Sequence, residues 1–190
     1  MKIKILLLAC LFALGCSTVN AQMVKVKKGQ KILNLGIGFG SSLGYSSVYK
    51  TTVPAISGSL EVIVKDGLLD KKASIGVGGY VGFSSGKTEV TVASETFGYK
   101  YTNFIIGPRG YFHYQLVEKI DTYAGLLIGY WAVSSQAYGG MPEGYDGGSF
   151  GGVRTAEFVG ARYYFNKKYA AMLELGYGIS YANIGLTIKL

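Results

Sequence analysis

Three observations predict an all-β chain closed as an eight-stranded antiparallel up-and-down transmembrane β-barrel. Apolar residues alternate with small or polar ones in eight segments, long connections alternate with short ones, and the polar face carries few charges. Hydrophobic residues make up 49% of the 190, enough to exclude a disordered chain. The 29 Gly follow no three-residue period and Pro numbers only 3, which excludes collagen.

The alternation runs segment by segment. Leu33, Leu35, Ile37 and Phe39 alternate with Asn34 and glycines, and Ile56, Leu60, Val62 and Val64 with Ser57, Ser59, Glu61 and Ile63. Ile75, Val77, Val81 and Phe83 form a third apolar face; Phe104, Ile106, Phe112, Tyr114 and Leu116 form a fourth, opposite Asn103, Arg109, Tyr111, His113 and Gln115. Four more follow, built on Ala124 to Tyr130, Val159 to Phe165, Ala171 to Tyr177 and Ile184 to Leu190. Side chains on a strand point alternately to its two faces, so each segment has one greasy face and one small or polar face. Each is near the 9 to 11 residues of a tilted membrane strand. The connections run roughly 14, 7, 17, 5, 19, 3 and 4 residues, placing long loops at one end and tight turns at the other. The seventh breaks the pattern by being short.

A lipocalin-like barrel would show the same alternation with its polar face in water. A wetted face carries abundant Lys and Glu. Here it holds Gly, Ser and Asn with scattered Glu61, Arg109, His113, Arg162, Glu174 and Lys189. That set suits a crowded lumen, and the apolar set suits lipid. If Leu116 faces Thr122 across the turn at 117–121, Arg109 lies opposite Gly129 and His113 opposite Gly125, large against missing side chains. Tyr is the commonest aromatic, at 16; Tyr101, Tyr123, Tyr130, Tyr163, Tyr169 and Tyr177 fall near expected strand ends and read as interfacial girdles.

These features, with the terminal Asn183-Ile184-Gly185-Leu186-Thr187-Ile188-Lys189-Leu190, make the chain resemble the small eight-stranded outer-membrane β-barrels of the OmpA and OmpX type, more closely those common in bacteria of the Bacteroides kind. The resemblance implies a bacterial outer-membrane location with both termini periplasmic, and a last strand that closes the sheet on the first. It also implies an assembly signal at Asn183, Gly185, Ile188 and Leu190, read by the outer-membrane assembly machinery. The chain departs from the family in ending on Leu190 instead of an aromatic.

Residues 1–21 read as a signal peptide: Lys2 and Lys4, an apolar run from Ile5 to Leu14, then Val19-Asn20-Ala21, with cleavage between Ala21 and Gln22. The barrel domain is then 22–190. Both cysteines, Cys10 and Cys16, lie in the removed segment; the competing reading is lipidation at Cys16. Loss of Lys2 and Lys4 lowers the net charge from +8 to +6. The basic excess lies at the expected periplasmic end, where anionic lipid headgroups account for it without nucleic acid.

In the lumen, Glu61, Arg109, Arg162 and Glu174 balance to zero and read as a structural ion-pair network, with Arg162 and Glu174 close enough across a short turn to pair. His113 is the only histidine and has lumen parity. No catalytic, cofactor or metal residues are expected, because one His without Cys cannot build a His-ligated zinc site and no phosphate loop or nucleophile elbow occurs. The reading is therefore non-enzymatic. It predicts a structural or surface-interacting barrel with a side-chain-plugged lumen, with outer-membrane lipids as partners and an extracellular ligand at the loops. The longest loop, 134–152, holds seven Gly. The alternatives are a narrow pore for ions or small solutes and a lipid-modifying enzyme.

Overall fold

Period-two patterning gives strands with opposed faces, and every backbone N–H and C=O of such strands needs a partner in an apolar medium. A computed structural model describes residues 26–41, 49–92, 94–139, 144 and 146–190. Ala21, Gln22, Cys10, Cys16 and the rest of the export segment lie outside the described residues. The strands are β1 (Lys31–Ser41), β2 (Tyr49–Gly67), β3 (Ala73–Val92), β4 (Glu95–Val117), β5 (Ile120–Tyr138), β6 (Gly147–Tyr164), β7 (Tyr169–Gly176) and β8 (Ser180–Lys189). They form one closed barrel in sequence order, each antiparallel to its neighbours. Leu33 pairs with Ile188 and Gly36 with Gly185 at the seam between β1 and β8, so the sheet has no free edge there.

The faces divide as their chemistry demands. Leu35, Ile37, Leu60, Val77, Ile106, Phe112, Leu126, Ile128, Leu173 and Ile184 point outward and are exposed. Glu61, Arg109, His113, Arg162, Glu174 and Asn183 point inward and are buried. A water-soluble barrel would bury the first set and wet the second. This inside-out distribution is stable only where the outer wall meets an apolar solvent. No helix among the described residues is long and apolar enough to cross a membrane; the strands are the elements that could.

The strands are longer than their apolar segments. β3 and β4 continue to the pairs Val90–Phe97 and Val92–Glu95, and β5 and β6 pair as far as Gln136–Gly147. Much of what the sequence suggests to be long loops is therefore strand, including most of 134–152. Thr and Tyr favour an extended backbone whether or not the strand touches lipid, so ladders continue where alternating hydrophobicity stops. By contrast β7 has 8 residues and β8 has 10. That explains the short seventh connection: this hairpin ends where the lipid-facing wall ends. β2 to β6 rise beyond it as a five-stranded extension, and β6 pairs with β7 only from Phe158 to Tyr164.

The turn between β4 and β5 differs from expectation. Tyr114 faces Thr122, and an irregularity before Val117–Ile120 shifts the register, so Arg109 faces Leu127 and His113 faces Tyr123. Size complementarity persists with other partners. Tyr111 faces Gly125, where an added Cβ would sit 2.4 Å from the Phe158 ring, and Tyr123 faces Gly160, which its own ring fills. Of the expected girdle tyrosines, Tyr130, Tyr163, Tyr169 and Tyr177 are outward and exposed. Tyr123 instead is buried in the lumen, and Tyr101 lies half-buried against Tyr49 and Tyr99 on the inner face of the extension.

Candidate functional site: a charged plug in the lumen

Eight tilted strands leave an interior just wide enough for side chains to fill. β2 supplies Glu61, β4 supplies His113, β5 supplies Asp121 and β6 supplies Arg162, all almost wholly buried. They close into a ring. Arg162 Nη2 donates to Glu61 Oε2 at 2.8 Å and Nη1 to Asp121 Oδ2 at 3.0 Å. His113 Nδ1 lies 3.0 Å from Asp121 Oδ1, and Nε2 lies 2.5 Å from Glu61 Oε1. Two carboxylates facing the two ring nitrogens require two N–H donors, which is the imidazolium form. The ring then holds two cations and two anions and is neutral, as a buried charged cluster must be to survive desolvation.

A second pair lies deeper in the barrel. Arg109 Nη1 is 3.0 Å from both oxygens of Glu174, and the Tyr123 hydroxyl donates to Glu174 at 3.2 Å. The Arg109 guanidinium is held 3.8 Å from the Tyr80 ring centroid and 4.1 Å from that of Phe158; Arg162 lies 4.2 Å from Tyr123. A planar, weakly hydrated cation suits such stacking. Tyr111, Tyr123 and Phe158 pack around it, and toward the extended end Ala55, Tyr80, Ile105, Leu127, Ala156 and Ile179 form an apolar plug with Trp131 against it. A recess of about 310 Å³ reaches His113 and Asp121 from the short-turn end, and one of about 170 Å³ lies by Ala55 and Ile179 at the other.

The structure brings Glu61, Arg109, Arg162 and Glu174 into the lumen but pairs them differently from the sequence reading. Arg162 does not bind Glu174: those residues are diagonal, Arg162 facing Met172 and Glu174 facing Gly160. Arg162 reaches instead to Asp121, its direct cross-strand partner on β5, and across the barrel to Glu61. Asp121 and His113 are ring members that the sequence reading left out. The signal for Asp121 was its parity, since it shares an inward face with Tyr123 and pairs with Arg162; proximity to the turn disguised it as a surface charge. At the terminal signal, Asn183 is inward and buried, Gly185 lies at the seam, and Ile188 and Leu190 take outward parity.

No protein-family model and no curated protein matches the chain. Similar solved structures include the attachment invasion locus protein Ail of Yersinia pestis in complex with the heparin analogue sucrose octasulfate (12% identity, 86% of this chain and 96% of that one, TM-score 0.47). Ail, an outer membrane protein, is also matched in a phospholipid bilayer nanodisc (14% identity, 86% and 100%, TM-score 0.37). The N-terminal β-barrel domain of Pseudomonas aeruginosa OprF matches at 12% identity over 87% and 100% of the two chains, TM-score 0.44. The likeness is to small outer-membrane β-barrels. The eight-stranded closure of this chain rests on its own strand registers.

Proposed function

We propose that this chain is an integral outer-membrane barrel of a bacterium, closed to solute passage and acting through its wall and its extended end. The observation that carries this reading is the charged ring of Glu61, His113, Asp121 and Arg162, which with the Arg109–Glu174 pair and the apolar plug occupies the lumen. Opening a path would break paired, buried charges, each costly to separate. The outward apolar wall supports lipid as the surrounding medium. The outward parity of Ile188 and Leu190 on the closing strand supports recognition by the assembly machinery, and the reading puts both termini in the periplasm.

The five-stranded extension is the surface best suited to an extracellular partner. Among the described residues, no strand pairs with the outer edge of β6 between Gly147 and Ala156, which makes it the edge where an added strand would pair. Catalysis is not part of the reading. Both nitrogens of His113 are engaged by carboxylates, leaving none to activate a hydroxyl nucleophile. Planar-bilayer recording of the folded protein tests the closed lumen: a quiet membrane is expected, and steady unitary openings would establish the narrow pore instead.

A further inference from the structure

On the outward face, three neighbouring strands each run from an apolar residue to a lysine away from the lipid wall. β2 reads Ile56, Val53, Lys50; β3 reads Phe83, Ser85, Lys87; β4 reads Phe104, Thr102, Lys100. The registers align them in rows: Ile56–Phe83–Phe104, then Val53–Ser85–Thr102, where Ser85 is buried and donates to the Tyr101 carbonyl, then Lys50–Lys87–Lys100. Register shifts in β2 between Thr51 and Val53 and between Val53 and Ile56 move Lys50 two positions along, into register opposite Lys87. The lysine row lies about 13 Å along the strands from the aromatic row, or about 10 Å in depth for strands tilted by about 40°. That depth is where headgroup phosphates meet a membrane wall, and lysine stems can reach back toward it.

We propose, resting on the outer-membrane orientation put forward above, that Lys50, Lys87 and Lys100 form a binding site for the phosphate groups of a phosphorylated glycolipid in the outer leaflet. Like charges directly opposite on a sheet repel, so three cations in one row need a compensating anion. Among the described residues one is supplied by Glu89, which bonds Lys50 Nζ at 2.7 Å and also Lys87. Three lysines against one carboxylate leave the row attractive to a multiply charged anion. The patch is also one-sided. At corresponding positions β5 and β6 present Ser134, Gln136 and Ser149 outward, so the cations form a local site instead of a general headgroup belt. A lipid occupant is favoured over a soluble polyanion because the lysine row is continuous with the lipid-facing wall, allowing one molecule to engage apolar and cationic rows together.

The test uses the folded full barrel in nanodiscs and measures retention of a bis-phosphorylated glycolipid and of the same glycolipid with both phosphates removed. Preferential retention of the phosphorylated form is expected. The K50Q/K87Q/K100Q variant should lower that preference about 30-fold, and Glu89→Gln should raise it about fivefold. Unchanged cold and heated gel mobility verifies folding of the variants, whose substituted side chains lie on the surface. Equal retention of the two lipids, or an unaltered preference in the triple variant, overturns the proposal. Tight binding of a soluble sulfated polysaccharide without phosphate preference among lipids also overturns it, assigning the row to a soluble anion.

Discussion

The guanidinium of Arg162 meets the carboxylate of Glu61 at 2.8 Å across the barrel, joining residues 101 positions apart. The same group holds Asp121, so one side chain ties β6 to both β2 and β5. Replacing Arg162 with Leu leaves two buried carboxylates facing the single charge of His113. The expected loss is about 3–5 kcal/mol of stability, measured by urea unfolding in lipid vesicles. Unfolding at the wild-type midpoint would show that the ring does not hold the barrel together.

Gly185 and Gly110 make a matched pair of tests. A Cβ at Gly185 would lie 2.0 Å from the Leu35 carbonyl oxygen at the seam, whereas a Cβ at Gly110 would meet nothing within 4 Å. Gly185→Ala is expected to cost about 1–3 kcal/mol through overpacking against backbone, and Gly110→Ala about 0.5 kcal/mol or less in either direction. The fraction running as the compact form in unheated gels reports both; equal yields would refute the crowded seam.

Ile106 points outward at 53% exposure. Arg at this position should cost about 2–4 kcal/mol if it lies near the bilayer midplane. A water-facing position would tolerate the change, so titration in vesicles separates lipid from water as the solvent of the wall.

Glu89, on the extension beyond the wall, is held down to about 2, below its ordinary 4.5, by hydrogen bonds from Lys50 and then Lys87. The stabilisation is therefore fully present above about pH 4.5 and is lost as pH falls through about 2. Carbon NMR of the Glu89 carboxylate should show that low midpoint, rising toward 4.5 in high salt as ions screen its contact with the exposed Lys50. A midpoint near 4.5 at low salt would mean that the lysine contacts do not form in solution.

The eight strands and their inward faces were legible because burial against lipid leaves a two-residue rhythm wherever the wall touches acyl chains. Beyond the wall that rhythm ends while backbone pairing continues, so β3 and β4 look like loop from 86 onward although they pair to Val92–Glu95. Inward parity placed Glu61, Arg109, Arg162 and Glu174 in the lumen. It could not assign partners, because long side chains reach across the barrel, and one irregularity near Val117 shifted every pairing expected between β4 and β5. Asp121 was missed for a related reason: its position next to a turn gave it the look of a solvated charge.

The β1–β8 seam has a consequence for biogenesis. Ile32 hydrogen-bonds in register with a strand whose final paired residue is Lys189, and the Leu190 amide reaches back to the Lys31 carbonyl. The earliest strand must therefore wait for the latest. Until they meet, the half-made sheet has two unsatisfied borders, prone to sticking to other chains. Cellular helpers that shield nascent chains would have most to do just before this final join.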